Sequence, residues 1–156
     1  MTKARKMLSD WDAPYLVPLV KAIETQSNAT LAGWVIQYSE HVMLPIWAKY
    51  NPDDTRPQVA LRAAREWLSG SVKLPEVKAQ ILACHAAARD AADIPAAQAA
   101  ARAIGQSAST IHSARHCVGL PLYGALAAAY DALGTKAPPE QLEQYVSDEC
   151  GRMLAA

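Results

Sequence analysis

Six stretches of helical periodicity, no run of period-two alternation and an alanine-rich middle predict an all-α fold for this 156-residue chain. The expected architecture is one domain over residues 1–156, an antiparallel helical bundle of about six helices with alanine-rich close packing. The length suits a single domain and buries roughly 68–70% of the unfolded surface, so neither disulfide nor metal is needed for folding. Between Ala83 and Ala103, 12 of 21 residues are alanine. Alanine has the best helix propensity but buries little area, so a core lined with it demands close helix axes. Four tryptophans and six tyrosines fill the wider gaps, without any phenylalanine.

The first helix is expected from near Pro14, behind Ser9, Asp10 and Asp12 as possible caps, through Leu16, Leu19, Val20 and Ile23. Ser27 or Asn28 caps the second, which reaches about Tyr50 with Leu31, Trp34, Val35, Tyr38 and Val42 on one face. Pro45 has no N–H for the carbonyl of His41, so a kink or restart belongs there. NPDDTRP reads as a loop feeding a third helix, capped by Thr55 or Asp54, with Pro57 in its first turn. That helix turns Ala60, Ala64, Trp67 and Leu68 inward, and Gly70 ends it in a left-handed conformation. The fourth opens at Pro75 with Val77, Ile81, Cys84, Ala88 and Ala91 inward. A fifth stretch runs from Ala96 to Leu133, interrupted at Gly119 and Pro121 and stopped by Gly134. Pro138-Pro139 starts the last, through Leu142, Tyr145, Val146 and Leu154.

Fifteen basic and fifteen acidic residues cancel, which argues against nucleic acid or an anionic membrane as partner. Lys3, Arg5 and Lys6 form only a short basic end. No stretch reaches the ~18 apolar residues of a membrane span. MTKARKMLSDWD has no apolar secretory core. Cys84, Cys117 and Cys150 are odd in number and unpaired in spacing, as in a reducing compartment. The expected location is therefore cytoplasmic.

Two polar constellations stand out. His112 and His116, four apart, project from one side of a helix if that helix is continuous. They flank a stripe of Ala101, Gly105, Ala108 and Gly119 where another helix can come closest. His85, followed by Arg89, and His41, beside Glu40, border the apolar faces of their own helices. Semi-buried imidazoles that tie helices together by hydrogen bonds are the leading reading. The alternative is a transition-metal or small-ligand site from His85, His112 and His116, with His41 as a further candidate. H-x-x-x-H lacks the general-base Glu of the zinc-protease motif. Arg115 falls in the same buried-looking stripe and needs a carboxylate such as Glu40, or a polar groove. The second constellation, Asp53, Asp54 and Arg56, is read as a helix cap with an ion pair, or else a ligand-facing corner. Ser107, Ser109 and Ser113 lack a nucleophile elbow; Ser109 and Ser113 are expected on a solvated face with Arg102 and Gln106.

With those residues in view, the chain resembles the Imm-5-like family of immunity proteins associated with bacterial polymorphic toxins. The likeness covers about residues 31–130. It rests on Trp34 with Glu40-His41-Val42, on NPDDTRPQVALRAAREWLSG from Asn51 to Gly70, on HAAAR from His85 to Arg89, and on AAARAIGQSASTIHSARH from Ala99 to His116 with Tyr123. The chain departs from the pattern at Gln58 and at Arg115. The resemblance implies an all-helical, non-enzymatic protein of the cytoplasm whose partner is a cognate toxin. A homo-oligomer using exposed Trp11 or Tyr15 is a third, plainer possibility.

Overall fold

The computed structural model describes residues 4–156, so Lys3 of the short basic end lies outside the described residues. Among these residues there are eight α-helices and no strand. They are α1 (Val17–Glu24), α2 (Asn28–Tyr38), α3 (Leu44–Tyr50), α4 (Arg56–Leu68), α5 (Leu74–Asp90), α6 (Pro95–Ser109), α7 (Ala125–Leu133) and α8 (Pro139–Ala155). Two more helices than expected appear because both long stretches are broken.

Pro45 breaks the first. A five-residue π-helical turn, Ser39–Met43, joins α2 to α3, and the Leu44 N–H donates to the Ser39 carbonyl five residues back. The wider turn carries the chain past Pro45, which cannot donate and whose ring crowds the preceding turn. The second break comes ten residues earlier than Gly119. The Ser109 hydroxyl donates to the Gly105 carbonyl at 2.9 Å and Thr110 donates to Gln106 at 3.0 Å. Such back-bonding to the carbonyl four residues earlier weakens and bends a helix end, and here the Thr110 N–H has tightened onto Ser107 O. The chain tightens, Ser113 is extended, and a 3-10 turn, Ala114–Val118, follows. Another π turn, Leu120–Gly124, holds Pro121 and leads into α7.

Helix ends follow local chemistry. The Ser27 hydroxyl accepts from the Thr30 N–H at 3.2 Å. At the end of α4, Gly70 takes φ 80°, with Gly70 N–H bonded to Trp67 O and Ser71 N–H to Glu66 O. This paired closure is available cheaply only to glycine. α1 starts at Val17 rather than Pro14, because residues 11–16 form turns.

α6 lies at the centre, packed by α2, α3, α4, α5, α7 and the irregular turns. Twelve of its fifteen residues are buried, seven of them alanines. Its neighbours supply bulk: Trp47, Ile36, Met43, Leu61, Leu120 and Leu126 are fully buried. Burying each such side chain contributes about 1.5–3 kcal/mol. α5 and α6 run antiparallel: Ala88 meets Gln98, Cys84 meets Ala101 and His85 meets Arg102. Between the Ala88–Gln98 and Cys84–Ala101 contacts the number falls on one helix as it rises on the other. The expected inward set of α5 is buried throughout. On α4, Leu68 is instead 43% exposed. Leu68 is the last residue of α4, whereas Leu61, two turns earlier on the same face, is buried.

Because α6 is enclosed on all sides, Ala100→Leu is expected to destabilise the fold by about 1–3 kcal/mol. Ala132→Leu on the exposed end of α7 should stay within about 0.5 kcal/mol. Urea denaturation of both variants checks this.

Candidate functional site

Four polar clusters hold the side chains that could carry recognition or chemistry. The first sits on the π turn. Glu40 points across to α4, where Arg65 forms a fork on it: Nε to Oε2 at 2.6 Å and Nη2 to Oε1 at 2.6 Å. The carboxylate raises the Arg65 pKa. Arg65, not Arg115, is thus the partner of Glu40. His41 is exposed, and its Nδ1–H donates to the Gln37 carbonyl at 2.8 Å. An open groove of about 450 Å³ runs beside it between Leu44, Gln58 and Arg62.

The second cluster ties three elements. Arg56 donates to Asp54 through Nε (2.9 Å) and Nη2 (2.6 Å), and to Asp90 at the end of α5 through Nη2 (2.9 Å). Asp54 Oδ1 also accepts the Arg56 backbone N–H at 3.2 Å, while Thr55 makes no side-chain cap. The guanidinium holds the Asp54 carboxyl below its usual range. Trp47 Nε1 donates to the Asp54 carbonyl at 2.7 Å, anchoring the loop on α3. Asp53 is exposed.

The third cluster contains the remaining histidines. The His85 ring packs on Gly105, so close that a methyl there would sit 2.6 Å from Cε1. Arg102 Nη1 donates to His85 Nδ1 at 2.9 Å, which leaves the proton on Nε2. Burial, then Arg102, Arg89 and His116, pushes the His85 pKa down to about 4. His116 Nδ1–H donates to Gln106 Oε1 at 2.7 Å. His112 is exposed, with its ring centroid 5.9 Å from that of His116. Burial and then Lys78 lower its pKa.

Several expectations need correcting here. α6 ends before His112, so His112 and His116 do not share a helix, and the spacing argument for a paired ligand site loses its premise. Among the described residues no three His, Cys, Asp or Glu side chains come together as a metal would require. A guanidinium already occupies the His85 Nδ1 lone pair, a poor setting for a cation. Arg115 is exposed rather than buried. Ser109 is buried, not solvated, and Ser107 accepts from Ser39 Oγ at 2.8 Å. Trp11 is 48% exposed, whereas Tyr15 is partly buried against the core.

The fourth cluster was missed by sequence reasoning. Glu149 on α8 is buried and accepts from the Tyr38 hydroxyl on α2 and from Arg152 at 2.6 and 2.9 Å. Burial and this carboxylate raise the Tyr38 pKa. Beside it Trp34 Nε1 donates to the Met153 carbonyl at 3.0 Å. The available signal was an acidic residue in the stripe of Val146, Cys150 and Met153, with Arg152 three places on.

Fold and clusters define a helical protein whose polar side chains knit helices together and leave shallow grooves outside. The chain belongs to the family described as Imm-5 like putative immunity protein, whose profile matches residues 21–156. The match extends well beyond residues 31–130 and takes in α8. No curated protein and no solved structure is matched by this chain.

The His85 geometry sets a pH dependence. The unfolded chain takes up this proton near the ordinary value of 6.5, the folded one only near 4. Between those values the unfolded state binds more protons, so stability rises with pH across that window. The contribution is complete above about pH 6.5 and is lost as pH falls through about 4. His85→Gln should flatten that part of the stability profile measured by urea titration. Gly105→Ala is expected to destabilise by about 1–3 kcal/mol, with a double-mutant cycle showing that His85→Ala relieves it non-additively.

Proposed function

We propose that this chain is an immunity protein that neutralises a toxin by binding it in the cytoplasm and catalyses no reaction of its own. Family membership across residues 21–156 carries the reading. The behaviour of its reactive groups supports it. All three thiols are buried, with pKa values pushed up by burial to about 12 for Cys84, 11 for Cys117 and 12 for Cys150, far from the thiolate a nucleophile needs. The Ser107 and Ser109 hydroxyls are bound to neighbours, and His85 Nδ1 is taken by Arg102. The blocks that carry the family likeness instead present His41, Gln58 and Arg62 around a groove, and Arg89 exposed on α5. No helix of the described residues is long and apolar enough to cross a membrane.

Co-expression with a candidate toxin domain drawn from the genes beside its own tests the proposal. Restored growth and copurification of the two chains are expected. Unrelieved growth arrest in cells that accumulate folded protein would refute it.

A further inference from the structure

The cations of this neutral chain are unevenly spread. Ion pairs among the described residues are Lys49–Asp131, Arg56 with Asp54 and Asp90, Arg65–Glu40 and Arg152–Glu149. None involves Lys78 or Arg89 on α5, or Arg102 on α6. These three belong to one neighbourhood. The groups close enough to act electrostatically on His85 are Arg102, Arg89 and His116, and those acting on His112 are Lys78 and His116. None of these groups is a carboxylate. Positions 78, 82, 85 and 89 follow one stripe of α5, rotated one step from the buried stripe. In its middle stands Leu82, 69% exposed and the most exposed large hydrophobic side chain among the described residues.

We propose that this stripe is the docking face for an acidic protein surface, with carboxylates meeting Lys78, Arg89 and Arg102 and an apolar side chain seating on Leu82. Uncompensated cations held together on a rigid helix pair attract a negative partner at little reorganisation cost. The hydrocarbon at their centre selects a protein over nucleic acid, since phosphate gains nothing from leucine while an interface core does. Arg102 is further fixed by its bond to His85, so it is ordered before a partner arrives. The inference deepens the immunity reading and rests on it for the identity of the partner, which would be an acidic patch on the toxin.

The test uses a labelled peptide of repeated Glu-Glu-Leu-Glu blocks, its all-glutamate counterpart and a short DNA duplex, followed by fluorescence anisotropy at low and physiological salt. The leucine-bearing peptide should bind most tightly. The double reversal Lys78→Glu/Arg89→Glu should weaken it by about tenfold or more. Leu82→Ala should erase the preference over the all-glutamate peptide. A control reversal with the same net charge, Lys21→Glu/Lys136→Glu, should bind like the parent, and thermal melts confirm that each variant is folded. Equal loss in the control, equal binding of DNA, or no peptide binding overturns the docking face. Protection against the toxin that survives Lys78→Glu/Arg89→Glu also overturns it while leaving the immunity function intact. Failure of the parent chain to protect, with the peptide results as expected, removes the immunity reading alone.

Discussion

Enclosure of α6 is the constraint on which the rest of the structure depends. A helix with neighbours on nearly every side leaves little solvent face for large or charged side chains, and on α6 only Pro95, Arg102 and Gln106 are partly exposed. Its side chains must be small, and any polar ones must find partners inside. α6 meets both conditions. Alanine loses no side-chain entropy on burial, and it lets surrounding helices approach. Gln98 donates to Ala88 O, Arg102 to His85 and Ser109 to Gly105 O, while Gln106 accepts from His116 and Ser107 from Ser39. Every polar position from Gln98 to Ser109 is thereby matched.

Small side chains on the central helix shift the burden of apolar burial to its neighbours. Trp47, Met43, Leu120 and Leu126 come from α3, α7 and the two π turns. The π turns are therefore part of the core as well as connectors. Each admits a proline within an otherwise helical path and changes which residues face α6. The Ser39–Met43 turn sends Met43 inward and Glu40 outward to Arg65, with exposed His41 beside it. A regular helix through Pro45 would place these residues on different faces.

The outer clusters then divide by role. Arg56 with Asp54 and Asp90, and Glu149 with Tyr38 and Arg152, are closed sets that bind elements distant in sequence. Both draw on charge-assisted hydrogen bonds, and breaking one partner of the buried Glu149 set leaves a charge without compensation. The α5–α6 face differs because, among the described residues, Lys78, Arg89 and Arg102 make no ion pair. Under the proposed function that asymmetry has a meaning: a protein that acted by association would need a surface left unsatisfied until its partner arrived.

Helical class, the core face of α5, the Gly70 closure and the family likeness were all legible in the sequence, because each depends on local periodicity or one residue's backbone freedom. Local spacing also explains the errors. His112 and His116 look like a pair only if their helix continues, but α6 ends at Ser109, where two hydroxyls fold back onto Gly105 and Gln106. Arg115 looks buried by the same assumption. The Glu40–Arg65 fork, the Arg102–His85 contact and the buried Glu149 join residues on different helices, and their partners are fixed by how those helices pack. Sequence by itself determined which segments become helices and which faces are apolar. Tertiary structure decided where those helices break and which charges are answered, because both depend on neighbours that the chain meets only once it has folded.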